Sequence, residues 1–175
     1  MLVFINPTFL SIIIGFVIAL CGEAIRIWAV SYAGSETRTT SGVGGTYLVT
    51  QGPYSITRNP LYIGNILIYT GIGVMSKALF PYLQIAGLIF FTFQYYCIIL
   101  NEEEYLQKTF RDKFHIYTVT VNRFFPKFKL LPEEIKSDLP LDVAAGLKSE
   151  RRSLQAFLIL SSIIIIYFLF KTFSS

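Results

Sequence analysis

The chain has 175 residues, of which 53% are hydrophobic and 15% charged, and its formal net charge is +4. Soluble domains carry about 25% charged residues, whereas disordered chains combine low hydrophobicity with high net charge. The composition therefore excludes a disordered chain. It also argues against a soluble globular domain, because the apolar residues form long uncharged blocks. The sequence predicts that the bilayer is the main solvent of this protein.

Four stretches have the length and composition of membrane-spanning helices, which need about 20 mostly apolar residues. They cover approximately residues 9–30, 61–78, 81–100 and 153–170. The second is short and contains Gly64, Gly71 and Gly73, which favour close packing against a neighbouring helix. The sequence thus predicts a single all-α integral-membrane domain over residues 1–175, with about four transmembrane helices and a cytoplasmic helical segment between the third and the fourth.

The distribution of lysine and arginine predicts the orientation of these spans. Twelve of the 15 basic residues lie in the connecting segments 31–60 and 101–152, whereas Lys77 and Lys171 belong to the other side. Cytoplasmic loops are enriched in Lys and Arg, so both long segments are predicted to be cytoplasmic and both termini outside. Basic residues at the inner membrane face also explain the net charge, and no nucleic acid partner is expected.

Glu102, Glu103 and Glu104 directly follow the third span. Carboxylates so close to the hydrocarbon are costly and tend to have a partner or a function, although a solvated acidic collar is the simpler alternative. Apolar residues recur after them at helical spacing, which predicts that the third helix continues beyond the membrane. Successive helical side chains point about 100° apart, so we expect two of the carboxylates to face inward and one to face water.

A second group of polar residues precedes the second span. Pro60 stands where a helix would begin and Asn59 could cap it. The free N–H groups of a helix start, together with the guanidinium of Arg58, suit an anionic group such as a carboxylate. An ordinary cap with an arginine at the lipid headgroups is the alternative. Because both groups are predicted at the same membrane face, Arg58 and one glutamate could meet there.

Sites of other kinds find little support. Cys21 and Cys97 lie in apolar runs, which predicts buried free thiols. His115 is the only histidine and no Cys/His cluster exists, so no metal site is predicted, and His115 is expected at the surface. Residues 41–45 look like a nucleotide-binding loop, but the glycine required at position 47 is Tyr47 and no strand–helix unit surrounds them.

Two separated motifs resemble those of a known family. The first is Gly52-Pro53-Tyr54 followed by Arg58-Asn59-Pro60-Leu61-Tyr62-Ile63-Gly64, which is similar to G-x-Y…R-H-P-x-Y-x-G. The second resembles E-E-x-x-L-x-x-x-F-G-x-x-Y-x-x-Y…V-P-R…P and consists of Glu102, Glu103, Leu106, Phe110, Tyr117, Val121, Arg123 and Pro126. Both belong to the isoprenylcysteine carboxyl methyltransferase and phospholipid methyltransferase group. The resemblance covers about residues 20–126.

Four positions depart from the family pattern. Asn59 replaces the motif histidine, Arg111 the glycine after Phe110, Phe114 the first tyrosine and Asn122 the proline of V-P-R. Asparagine keeps hydrogen-bonding ability but does not titrate near neutral pH, so no acid–base role is carried over to Asn59.

The resemblance implies an integral-membrane methyltransferase that uses S-adenosylmethionine at the cytoplasmic side. Its acceptor would be a lipophilic small molecule or a lipidated group, with a carboxylate favoured, and membrane lipid would surround it. The matching positions imply catalytic roles for Arg58 and Glu103. Cofactor-binding roles are implied for Gly52, Tyr54, Asn59, Tyr62 and Glu102. Acceptor-binding roles are expected for Tyr117 and Arg123.

The chemistry depends on the acceptor. A carboxylate is ionised at pH 7 and needs no base, whereas a thiol or an amine would need one, and Glu103 is then the expected base. Two other functions remain open at this point. One is an NADPH-dependent membrane reductase of the sterol or enone type, which has a similar R-H-P-x-Y-x-G-like stretch. The other is a non-catalytic membrane subunit.

Overall fold

A computed structural model describes residues 5–34 and 47–174, and every regular element in these ranges is helical. The α-helices are α1 (Phe9–Ala33), α2 (Pro60–Ser76), α3 (Tyr82–Thr120) and α4 (Val143–Phe173). Two short 3-10 helices, Gly52–Ser55 and Glu133–Ile135, lie in the connecting segments. The predicted all-α fold is confirmed over this part of the chain.

Three of the described helices, α1, α3 and α4, are long and apolar enough to cross a membrane. Helix α2 is also apolar, but its 17 residues are at the lower limit for a span. It ends at Ser76, two residues before the predicted limit, because Lys77 adopts a positive φ of 47° that does not continue a helix. A multi-pass membrane protein is thus supported, while the count of four spans and the orientation stay predictions.

Helix α3 continues well beyond its apolar stretch, as predicted. It is interrupted at Arg111, where φ is 44° and ψ is −111°, and the chain reverses there. The contacts of Arg58 show this reversal, because its side chain reaches both the Glu103 side chain and the carbonyl of Val121. In a straight helix these two residues would be about 27 Å apart. The sequence analysis predicted the continuation of α3 but not its reversal.

The chain forms two compact units. Unit 1 comprises Met1–Ala24, Gly64–Phe93 and Arg151–Ser175, and unit 2 comprises Ile25–Ile63 and Gln94–Glu150. All four described α-helices contribute residues to both units. All the predicted site residues fall in unit 2. A single domain over residues 1–175 stays a prediction.

In unit 1, glycines bring α1 and α2 into backbone contact. A Cβ atom on Gly22 would lie 2.6 Å from the carbonyl oxygen of Gly64. Gly15 and Gly71 face each other in the same way, each against the other's carbonyl oxygen. Gly73 meets only a side chain, at 3.5 Å, and is not part of the contact. The predicted role of small residues in α2 is therefore confirmed for Gly71, whereas Gly64 takes part through its carbonyl oxygen.

An aromatic contact and a polar contact join α4 to α1 in unit 1. The rings of Phe16 and Phe157 have centroids 5.3 Å apart. The Ser153 hydroxyl donates a hydrogen bond of 2.7 Å to Glu23, whose side chain is buried. Because a buried carboxylate is costly without partners, this contact helps to hold Glu23 inside the unit.

The cysteine prediction is wrong in one respect. Cys21 and Cys97 are free thiols as expected, but both are exposed. An apolar run in a membrane helix does not imply burial against protein, because the face turned outward is apolar as well. His115 is exposed, as predicted. The glycine-rich loop at residues 41–45 lies outside the described residues.

We predict that Gly71→Ala destabilises unit 1, because the added Cβ would lie 2.6 Å from the backbone nitrogen of Ala19. Such overpacking costs about 1–3 kcal/mol of folding free energy. Thermal unfolding of the purified protein in detergent measures the effect. Gly87→Ala is the matched control, because nothing lies within 4 Å of a Cβ at that position. Equal melting temperatures for the two variants would contradict the close contact between α1 and α2.

Candidate functional site in unit 2

The segment that leads into α2 is held against the chain that follows α3. The backbone N–H of Arg58 donates to the carbonyl of Asn122 at 2.9 Å, and that of Lys127 donates to the carbonyl of Ile56 at 3.0 Å. The residues that these two bonds join are 64 and 71 positions apart in sequence. They place the two family-like motifs side by side, and the Arg58 side chain then reaches α3.

Gly52 shapes the backbone at the start of this segment. Its φ is +57°, and a Cβ atom there would overlap the ring of Tyr32. Glycine is the residue that tolerates both conditions. The following tyrosine, Tyr54, is anchored through its carbonyl, which accepts a 2.7 Å hydrogen bond from the Tyr117 hydroxyl. Gly52, Tyr54 and Tyr117 thus have clear structural roles here, and their predicted ligand contacts stay predictions.

The centre of the site is the carboxylate of Glu103, which lies between two guanidinium groups. Arg58 Nη2 is 2.9 Å and Arg58 Nε 3.1 Å from Glu103 Oε1. Arg123 Nη2 is 2.5 Å from Glu103 Oε2, and Arg123 Nε is 3.1 Å from Oε1. The side chains of Arg58 and Glu103 are 10% and 15% exposed, and that of Arg123 is 29% exposed. One carboxylate and two guanidinium groups give this triad a net charge of +1.

The two arginines differ in what remains available to a ligand. Arg58 Nη1 donates to the carbonyls of Thr118 and Val121, at 3.1 and 2.6 Å, so each of its three side-chain nitrogens has an acceptor in the protein. Arg123 instead presents its guanidinium to the ring of Tyr96, 5.3 Å from the centroid. Arg123 is therefore the arginine better able to contact a further anion.

The arginines also set the protonation of Glu103, which lies beyond the apolar stretch of α3. Burial by itself would raise the pKa of this carboxyl, but hydrogen bonds from Arg123 and Arg58 outweigh it and hold the pKa below its usual value. The same hydrogen bond raises the pKa of Arg123. Glu103 is therefore ionised at neutral pH and is a weak proton acceptor.

Glu102 lies in a different environment. Its Oε1 accepts a 2.6 Å hydrogen bond from the hydroxyl of Tyr62. Burial raises the pKa of Glu102, and the bond from Tyr62 offsets this only in part. Glu104, by contrast, is exposed and pairs with Lys108. The expectation that two of the three carboxylates face inward and one faces water is confirmed.

Asn59, at the position of the family histidine, is buried, with 8% of its surface exposed. Its Nδ2 donates a hydrogen bond of 3.1 Å to the backbone carbonyl of Arg123. The side chain thus fixes the backbone of an arginine of the triad. An amide serves this purpose because it donates without needing a particular protonation state. Its predicted contact with a cofactor stays a prediction.

Sequence reasoning missed two tyrosines of the site. The ring of Tyr95 lies 4.9 Å from that of Tyr62, and Tyr96 lies under Arg123. A signal was present: Tyr95 and Tyr96 each stand seven residues before a site glutamate, Glu102 and Glu103. Seven residues are about two helical turns, so each pair shares a face of α3.

A second ion pair in unit 2 was also missed. Arg26 Nη2 lies 2.6 Å from Glu150 Oε2, and the Glu150 side chain is 1% exposed. Gly146, one turn before Glu150, packs directly against Ser31 of α1. These contacts hold the first turns of α4 against α1. Nothing in the local sequence pattern of either helix pairs these two charges.

The fold and the site together define an all-helical protein with helices able to cross a membrane and a buried cluster of arginines, glutamates and tyrosines beside the end of an apolar stretch. The sequence model of the phospholipid methyltransferase family matches residues 10–113, more than half of the chain. The protein belongs to this family, which confirms the resemblance noted in its motifs.

Two relatives are similar to this chain. The cobalt-zinc-cadmium resistance protein CzcN of Cupriavidus metallidurans is 31% identical over 127 residues, which are 72% of this chain and 53% of that protein. The nickel-cobalt-cadmium resistance protein NccN of Alcaligenes xylosoxydans xylosoxydans is 32% identical over 109 residues, 62% of this chain and 46% of that protein. The chain spans about half the length of these curated relatives. No solved structure matches it significantly.

We predict that Arg58→Gln lowers the free energy of unfolding by about 3 kcal/mol, because it removes a charged partner from a largely buried carboxylate and a donor from two backbone carbonyls. Chemical unfolding in detergent measures the change. Lys108→Gln is the control, since it breaks an exposed pair with Glu104 and is expected to leave the midpoint where it is. An unchanged midpoint for Arg58→Gln would show that the triad does not stabilise the fold.

We predict that the triad makes stability depend on pH in the acidic range. Because the two arginines hold the pKa of Glu103 in the folded chain below its usual value of 4.5, its contribution to stability is complete above that value and is lost as pH falls below it. The difference in unfolding free energy between the native chain and Glu103→Gln should be constant near neutral pH and shrink below about pH 4.5. A difference that does not vary with pH would contradict this reading of Glu103.

Proposed function

We propose that this protein is an integral-membrane methyltransferase that uses S-adenosylmethionine and methylates a lipophilic acceptor, with a carboxylate favoured. Membership of the phospholipid methyltransferase family supports the reaction class. The observation that carries the proposal is the meeting of the two motifs. The Arg58–Glu103–Arg123 triad and the Tyr62–Glu102 pair lie in one unit, because Glu102 and Glu103 are adjacent on α3 while Arg58 and Tyr62 flank the start of α2.

The residues of the site fit the cofactor in charge and in chemistry. S-adenosylmethionine is a sulfonium cation, and cations are attracted to carboxylates and to the faces of aromatic rings. Glu102 with the neighbouring rings of Tyr62 and Tyr95 offers both. A bound cation would favour the ionised form of Glu102, against the burial that raises its pKa. When bound, the cofactor supplies an electrophilic methyl group, and the protein's contribution is to bind and orient the reactants.

Arg123 is the residue we assign to the acceptor. The triad carries one excess positive charge, and Arg123 is its most exposed member. Its planar donor fork matches a carboxylate or a phosphate. A carboxylate acceptor is ionised at pH 7, so it needs orientation rather than a base, and orientation alone can supply much of the rate enhancement. Because the side-chain nitrogens of Arg58 are already engaged within the protein, we assign it a positioning role.

An acceptor that must lose a proton would use a different residue. For a thiol or an amine, Glu102 is better suited as the base than Glu103, because burial raises the pKa of Glu102 while two arginines lower that of Glu103. The lysine and arginine distribution supports a site that faces the cytoplasm, where the cofactor is available. The proposal includes an active site that faces the cytoplasm and chain termini that both lie on the outer side of the membrane.

The test is calorimetric titration of the purified protein in detergent with S-adenosylmethionine, S-adenosylhomocysteine and NADPH. We expect both sulfur compounds to bind, and we expect Glu102→Gln and Tyr62→Phe to weaken binding by at least about tenfold, since the first removes the negative charge and the second removes the hydroxyl that holds the carboxylate. His115→Gln is the control, because His115 is exposed and has no contact with the cluster among the described residues.

The other outcomes would assign the protein to a different class. Binding of NADPH alone would replace the proposal with the membrane reductase. Binding of none of the three compounds, by a protein that unfolds cooperatively, would leave a non-catalytic membrane subunit. Binding that survives both substitutions would keep the methyltransferase but move the cofactor away from Glu102.

A further inference from the structure

The chain that follows the triad exposes large apolar side chains between lysines. Phe125, Phe128 and Leu130 are 80%, 86% and 91% exposed. Lys127 and Lys129 alternate with them. We call residues 125–130 the exposed loop. A contiguous patch of this kind is unfavourable in water and marks a surface that meets another apolar phase or partner.

The position of the exposed loop is fixed by two contacts within unit 2. Arg123, two residues before it, is bound to Glu103, which lies three residues or about 4.5 Å beyond the apolar stretch of α3 that ends at Leu100. The backbone N–H of Lys127 is bound to the carbonyl of Ile56, just before the apolar helix α2 begins. The loop therefore lies beside the ends of two apolar helices, where a membrane meets water.

The chemistry of the loop suits this boundary. Its backbone from 126 to 130 is not helical, so it does not suit the hydrocarbon interior, where peptide groups must be bonded within the protein. At the interface, water and headgroups can satisfy these groups while phenylalanine and leucine side chains enter the outer acyl region. Lysine stems extend along an apolar surface and place their ammonium groups at the level of the phosphates.

We propose that the exposed loop is a membrane-interface contact that binds anionic phospholipid. Phe128 and Leu130 insert among the lipid chains, and Lys127 and Lys129 bind the headgroup phosphates. The positive charge of the lysines favours an anionic membrane as the partner. Each lysine near an anionic surface strengthens membrane binding by about fivefold, whereas an uncharged apolar partner would gain nothing from the lysines. The proposal concerns how this face of the protein contacts lipid and does not depend on methyl transfer.

The insertion is tested with tryptophan as a depth probe. Trp28, the single tryptophan of the chain, is first replaced by phenylalanine. Phe128→Trp is then introduced, which keeps a large aromatic side chain at that position. The full chain is reconstituted into phosphatidylcholine vesicles, with or without phosphatidylglycerol, whose lipids carry bromine near the top of the acyl chains. We expect the fluorescence of tryptophan at position 128 to be several-fold weaker in the brominated vesicles than in vesicles without bromine.

The matched control is Asp112→Trp in the same background. Asp112 is exposed and follows the reversal at Arg111, about nine residues and two to three helical turns from Glu103. Tryptophan at position 112 should show little quenching. Quenching at position 128 as weak as that at position 112 would place the exposed loop in water and overturn the insertion, leaving a soluble protein partner as its occupant.

The charge component needs its own measurement. Fluorescent phosphatidylglycerol should be enriched around the native chain in mixed vesicles. The double variant Lys127→Gln, Lys129→Gln should lose that enrichment by roughly an order of magnitude, and added salt should do the same to the native chain. Lys136→Gln is the control, because Lys136 lies in the same connecting segment but pairs with Glu133. Equal enrichment in the double variant and in the control would refute the binding of anionic lipid.

Discussion

The carboxylate of Glu103, held between the guanidinium groups of Arg58 and Arg123, is the interaction on which the functional part of this protein depends. It joins the start of α2, the middle of α3 and the chain after the reversal of α3. Breaking a largely buried ion pair leaves an uncompensated charge, which costs several kcal/mol. The triad therefore acts as a structural joint, and the positions of the neighbouring polar residues follow from it.

The triad also gives the two arginines, and the two neighbouring glutamates, different properties. Arg58 is engaged by a carboxylate and two backbone carbonyls, whereas Arg123 is partly exposed and faces an aromatic ring. The two neighbouring glutamates are shifted in opposite directions, with the pKa of Glu102 raised and that of Glu103 lowered. The proposed chemistry uses these differences: a carboxylate and aromatic rings for a cation, and the partly exposed guanidinium of Arg123 for an anion.

The proposed function requires a site at the boundary between membrane and water. A lipophilic acceptor is dissolved in the bilayer, whereas S-adenosylmethionine is dissolved in water, so the two can meet only where these phases meet. The polar cluster lies just beyond an apolar stretch, and the proposed lipid contact at residues 125–130 lies beside the same helix ends. Binding anionic lipid there would hold the site at the depth where both reactants can reach it.

Local patterns in the sequence determined the helices, the continuation of α3 past Leu100 and the outward position of one of the three consecutive glutamates, because all of these depend on hydropathy and helical period. The motif spacing determined the family. Only the tertiary structure decided that α3 reverses at Arg111, that Arg58 is fully engaged, that Asn59 anchors Arg123 and that Cys21 is exposed. The physical reason is common to these cases. A hydrogen-bond partner or an exposed face is set by segments far apart in the chain, and hydropathy alone does not separate the lipid-facing side of an apolar membrane helix from its protein-facing side.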